Sequence, residues 1–109
     1  MDKLDISHIQ WCKPWHPILP IRAPHSEAEL HRELCPKHVL FGRPVSAIGY
    51  RQDCDDVLFY LGEIAPRFAV VHLTFQPETN PKWPETSLYE SIEDWVEQCM
   101  IPDATDFEL

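Results

Sequence analysis

"RFAVVHLTF", residues 67–75, is the stretch whose reading decides the fold. In an extended chain successive side chains point to opposite faces. Ala69, Val71, Leu73 and Phe75 then share one face, and Phe68, Val70, His72 and Thr74 share the other. Both faces are largely apolar. The run just before it behaves alike: in "DVLFYL", residues 56–61, Val57, Phe59 and Leu61 stand opposite Leu58 and Tyr60. A third run, "VSAIGYR", spans residues 45–51. The gaps between runs, "QDCD" and "GEIAP", are short and rich in turn formers. Short gaps favour antiparallel neighbours, so the pattern predicts a three-stranded meander. A sheet apolar on both faces has to be covered twice or buried against a second copy.

Covers are available on either side in the sequence. "SEAELHREL", residues 26–34, predicts a short helix, with Ser26 and Glu29 spaced as a capping box and Pro36 stopping it. "SLYESIEDWVEQCM", residues 87–100, predicts a longer one, because Leu88, Ile92, Trp95, Val96 and Cys99 form one apolar stripe. Ser87 with Glu90 offers one start and Ser91 with Asp94 a later one, and Pro102 is expected to end the helix. Residues 1–25 are expected to form an extended proline-rich arm packed on the domain, since prolines at 14, 17, 20 and 24 disfavour helix. The expectation is therefore a single α+β domain, with a core over 26–101 and a frayed acidic tail over 102–109.

Charge is distributed unevenly. From Glu78 onward nine acids face Lys82 alone, whereas residues 1–77 hold nine acids and eight bases, within a total of −9. A potential of that sign repels nucleic-acid phosphates and anionic lipid and steers a basic protein partner inward. "MDKLDISHIQ" has no apolar signal core, and the longest strongly apolar run, "FAVV", is far too short to span a bilayer. Cysteines at 12, 35, 54 and 99 form no CxxC pair, as expected of reduced thiols in a cytoplasmic setting.

Chemistry-bearing residues are scattered. His31 and Cys35 fall one helical turn apart, while Cys12 and His16 are separated by an extended Pro14 segment of about 13 Å at ~3.3 Å per residue. One good pair and one poor pair make a weak zinc signal. "DCDD", residues 53–56, has the composition of a turn and lacks the distal ligands of a calcium loop. Cys35 and Cys99 are placed at helix C-termini and Cys54 between two aspartates, so local fields oppose a thiolate; only Cys12, beside Lys13, is favoured. His72 with Thr74 would make a polar spot in an apolar groove, within reach of His38. Trp11, Trp15 and Trp83 are candidate binding aromatics. No glycine-rich phosphate loop, GxSxG or HExxH occurs, so no cofactor and no catalytic residue is assigned.

"ELHRELCPKHVLFGRP", "DDVLF", "AVVHLTF" and "WPET" before a helix bearing Trp95 resemble a small family of uncharacterised bacterial proteins of similar length. That resemblance covers about residues 26–100, rests on His38, "VVHLT" and Trp83-Pro84, and implies a bacterial cytosolic origin without adding any activity. The functional expectation is a non-enzymatic protein-binding module, immunity-like or regulatory, with a basic partner. The rival is a small enzyme or metal protein using His38 and His72 or His31 and Cys35. A homodimer burying the second sheet face is a third reading.

Overall fold

The computed structural model describes residue 4 and residues 6–108. Five strands form one antiparallel sheet in sequential order: β1 (Trp15–Pro17), β2 (Ser46–Arg51), β3 (Asp56–Tyr60), β4 (Phe68–His72) and β5 (Thr86–Tyr89). The three expected strands are its centre, and the expectation of only three is corrected by one strand at each edge. β1 arises within the proline-rich segment, pairing Trp15 with Arg51 and Pro17 with Gly49. Proline is tolerated there because an edge strand has one side unpaired. β5 takes Ser87 and Leu88, which the apolar stripe had assigned to helix; Ala69 pairs with Leu88 and Val70 with Ser87.

Helix α1 runs over Ala23–Glu33, three residues earlier than its capping box implied. Pro24 occupies the first turn, where its missing N–H costs nothing. Ser26 therefore lies inside the helix and caps nothing. Residues 23–25 are consequently helical, not extended. Leu34 leaves in an extended conformation, so Cys35 is not on the helix and the His31–Cys35 turn does not exist.

At the other end the later of the two expected starts is used. Ser91 accepts a hydrogen bond from the Asp94 N–H at 3.1 Å and opens α2 (Ile92–Trp95). A π-helical segment, Val96–Met100, leads without a break into α3 (Ile101–Glu108). Pro102 does not end the helix, contrary to the sequence expectation, and residues 102–108 are helical. A proline ring collides with the carbonyl four residues back in a regular helix. Here the turn before it is widened: the Ile101 N–H reaches the Val96 carbonyl, five residues back.

The sheet is covered on both faces, as its double alternation demanded. Leu30, Leu34 and Leu40 pack on Val57, Phe59, Leu61, Ala69, Val71 and Leu73. Trp15, Ile92, Trp95 and Met100 pack on Leu58, Phe68 and Val70. The second cover is thus the C-terminal helix, with Ile6, Ile9, Trp11 and Cys12 packed beside it and Trp15 of β1 reaching into the same cluster. Trp15 and Trp95 meet edge to face with centroids 5.2 Å apart. Ile48 is an extra residue in β2 between the pairs Ala47–Phe59 and Gly49–Leu58. Its carbonyl accepts from the Ile18 N–H at 3.1 Å, and the neighbouring Ala47 N–H donates to Glu27 Oε2 at 2.8 Å, so the irregularity leaves these groups satisfied.

Candidate functional site

The geometry separates the sequence candidates. His38 is buried at 5% exposure. Its Nδ1 accepts from the Leu40 N–H at 3.0 Å and its Nε2 donates to the Pro84 carbonyl at 2.9 Å. An acceptor on one nitrogen and a donor on the other define the neutral Nε2–H tautomer. Both nitrogens are committed to holding the 35–43 loop against the approach to β5, and neither is available as ligand or base.

His72 lies elsewhere. It ends β4 directly opposite Asp56, the first residue of β3, and its Nδ1 is 2.7 Å from Asp56 Oδ1. The groove it lines, about 270 Å³, has Asp56, Val70, Glu85 and Ser87 as its other walls; His38 is not among them. Thr74 does not share that face. It follows the end of β4 and is drawn to the α1 side, where its N–H and hydroxyl both donate to Glu33 Oε1, at 2.8 and 3.1 Å.

The remaining candidates disperse. Trp15 is fully buried, and Trp11 is half-buried with its ring seated on Gly49. Trp83 is 44% exposed in the loop before β5. Cys35 is buried while His31 stands exposed on α1. His16 contacts Gln52, and the Cys12 thiol donates to the Gln10 carbonyl at 3.4 Å. All four cysteines are free thiols.

One gathering of donors had no counterpart in the sequence reading. Among the described residues, Cys54, Asp56 and His72 are the one group of three or more Cys, His or acidic residues whose ligand atoms lie within 4.8 Å of one another. In sequence, Cys54 stands in a turn-forming run whose flanking aspartates oppose a thiolate, and nothing there ties it to His72. An antiparallel hairpin sets the start of one strand against the end of the next, so Asp56 and His72 were legible as partners once the strand limits were known. Cys54 is two residues from Asp56. Partial desolvation of the sulfur outweighs a hydrogen bond from the Asp56 backbone, and with the Asp56 carboxylate nearby it leaves the Cys54 thiol above its ordinary range. The protein alone therefore does not make this sulfur a ready nucleophile.

A different surface runs along the C-terminal helix. His8, Ile9, Gln10 and Cys12 on one side and Val96, Met100 and Ile101 on the other enclose a groove of about 430 Å³. Glu93 and Glu97 stand exposed on its rim. His8 Nε2 is 3.2 Å from Glu93 Oε2, with both side chains largely exposed. Val96, Glu97 and Met100 all come from the π-helical segment, which turns them to the groove together. Ile101, 49% exposed, leaves an apolar edge open to solvent. Among the described residues no helix is long and apolar enough to cross a membrane.

No family model, no curated protein and no solved structure matches this chain.

Proposed function

We propose that this protein is a non-enzymatic binding module that captures a basic protein partner, in an immunity-like or regulatory role in a bacterial cytoplasm. The observation that carries the reading is the apolar groove along the C-terminal helix with carboxylates on its rim. A partner fitting it presents an apolar side chain to Ile9, Val96, Met100 and Ile101, flanked by lysine or arginine facing Glu93 and Glu97. The excess of nine acids over Lys82 from Glu78 onward extends the same sign beyond the rim and disfavours nucleic acid and anionic membrane as occupants. The four free thiols support a reducing compartment. A second copy of the chain is the competing occupant.

The test uses tag-free protein and an amphipathic peptide of alternating leucine and lysine blocks as probe, titrated calorimetrically at low and high salt. Affinity should fall at least about tenfold at high salt, as exposed charge pairs are screened. Glu93→Gln with Glu97→Gln should flatten that dependence, and Ile101→Ser should weaken binding at every salt concentration. Absent binding, or an affinity indifferent to salt and to these substitutions, overturns the reading. A concentration-dependent dimer in sedimentation that Ile101→Ser dissolves assigns the groove to a second copy instead.

A further inference from the structure

We propose that Cys54, Asp56 and His72 bind one divalent cation of the zinc type through a thiolate, a carboxylate oxygen and an imidazole nitrogen, with a further coordination position left open. The three ligand atoms already lie within 4.8 Å of one another. Tetrahedral zinc holds sulfur at about 2.3 Å and nitrogen or oxygen at about 2.0–2.2 Å, which spaces its ligand atoms roughly 3.3–3.8 Å apart. Reaching that spacing draws the sulfur inward and opens the Asp56–His72 pair, whose nearest atoms are now 2.7 Å apart, so that an ion takes the place of their hydrogen bond. Cys54 is exposed, and His72 and Asp56 retain 50% and 23% of their side-chain surface.

Two of the donors are fixed by the sheet, since Asp56 and His72 are register partners at the matching ends of β3 and β4. The third is fixed by the turn between β2 and β3. The Leu73 N–H donates to the Asp55 carbonyl at 3.1 Å, which ties that turn to the end of β4. Arg51 Nε holds Asp53 Oδ1 at 2.6 Å, on the other side of Cys54. The scaffold is therefore in place before an ion arrives. A mixed sulfur, nitrogen and oxygen set selects against calcium and magnesium, which take oxygen shells, and for borderline-soft ions. Three protein ligands with an open fourth position is the arrangement in which a metal keeps an exchangeable ligand. The groove of about 270 Å³ shared with Glu85 and Ser87 gives that ligand access. Binding displaces the thiol proton to solvent and adds no redox step. None of this depends on the groove along the C-terminal helix.

The experiment takes the full chain, tag-free, reduced and metal-stripped, and titrates it with Co²⁺ followed by Zn²⁺. The expected result is one equivalent of bound Co²⁺, a near-ultraviolet thiolate-to-cobalt band, and displacement of that band by Zn²⁺. Cys54→Ser should abolish the band, His72→Gln should weaken binding at least about tenfold, and Cys12→Ser should change neither. Zinc should also shield Cys54 from alkylation, read by peptide mass mapping, which is informative even if a variant folds poorly. A missing sulfur band, a band that survives Cys54→Ser, or equal labelling of Cys54 with and without zinc overturns the assignment and leaves a cross-strand ion pair beside an ordinary turn.

Discussion

The indole N–H of Trp15 donates to Asp103 Oδ2 at 2.9 Å, joining the first strand to the last helix across 88 residues of sequence. The same oxygen lies 3.1 Å from Arg51 of β2 and accepts from the Cys99 thiol at 3.5 Å. One carboxylate just past Pro102 therefore fastens α3 to two strands, while the widened turn before the proline lets the helix continue to it. Asp103→Asn keeps the shape but weakens a charge-assisted set, at a cost of about 1–3 kcal/mol. Trp15→Phe should cost at least about 1 kcal/mol, and Trp15→Ala about 3–5 kcal/mol for the emptied core position. In urea unfolding the Asp103→Asn and Trp15→Phe losses should fall short of additivity, because both act on one hydrogen bond, which the first weakens and the second removes.

Glu33 gives a second prediction, with a pH signature. It is fully buried, and beyond its two bonds from Thr74 its Oε2 accepts from the Phe75 N–H at 2.9 Å. Phe75 has φ of 58°, a left-handed backbone that a bulky residue adopts only under constraint. Glu33→Gln presents an amide N–H₂ where one of those donors needs an acceptor, and should cost about 1–3 kcal/mol. Burial, followed by the neighbouring Glu29, pushes the Glu33 carboxyl above its usual 4.5. A raised carboxyl means that the fold binds the proton more tightly than the unfolded chain does. The stabilisation is complete below pH 4.5 and is lost as pH rises through the folded value. Glu29 runs the opposite way: Arg32 holds it below its usual value, so its contribution is present above pH 4.5 and fades as pH falls through the folded value. The stability gap between the native chain and Glu33→Gln should therefore be wider near the acid end than at neutrality.

The centre of the fold was legible because strand alternation is a local signal. Both faces of β3 and β4 fell out of residues 56–61 and 67–75 directly. The edges were not. β1 pairs only Trp15, His16 and Pro17, and its strand character comes from docking on β2, a tertiary fact. In "SLYES" Leu88 suits a helical stripe and a strand alike, and pairing with Ala69 of β4 settles it as strand. The π turn before Pro102 has no signature in residue type alone. For the candidate sites the sequence singles out His72 but not its neighbours, because only the β3–β4 register brings Asp56, and with it Cys54, beside it. Exposed acids on the C-terminal helix were countable in advance. The groove between that helix and residues 8–12 was not, since it exists only where two distant segments pack.

Gly49 supplies a steric prediction. A Cβ added there would sit 2.7 Å from two atoms of the Trp11 ring and 3.3 Å from the His16 carbonyl oxygen. The Trp11 ring also packs on Trp95 with centroids 5.8 Å apart, so it cannot move without disturbing a second aromatic contact. Gly49→Ala should destabilise by about 1–3 kcal/mol as the ring is displaced. It should also redden tryptophan emission, since Trp11 gains water contact while Trp15 stays enclosed. Combining it with Trp11→Ala should recover part of the loss. An unchanged emission maximum with full stability would mean that the ring is not seated where the glycine allows it.

Cys99 carries the last prediction. Burial, reinforced by Asp103 beside it, pushes this thiol up to about 12 from an ordinary 9.0. The nearby Tyr89 phenol is also displaced upward, chiefly by burial and then by Cys99. Neither group ionises at neutral pH, so Cys99 should resist alkylation in the native chain while exposed Cys54 is labelled. Because the folded value lies above the unfolded one, the stabilisation is complete below pH 9.0 and is lost as pH rises towards about 12. Alkaline unfolding should thus be steep over that interval. Cys99→Ala should flatten it while costing about 1 kcal/mol at neutrality for the lost packing, with Asp103 still held by Arg51 and Trp15. Stability followed by far-ultraviolet circular dichroism from neutral to strongly alkaline pH checks both slopes. Identical slopes for the two chains would remove Cys99 as their source and leave Tyr89 as the group that loses its proton.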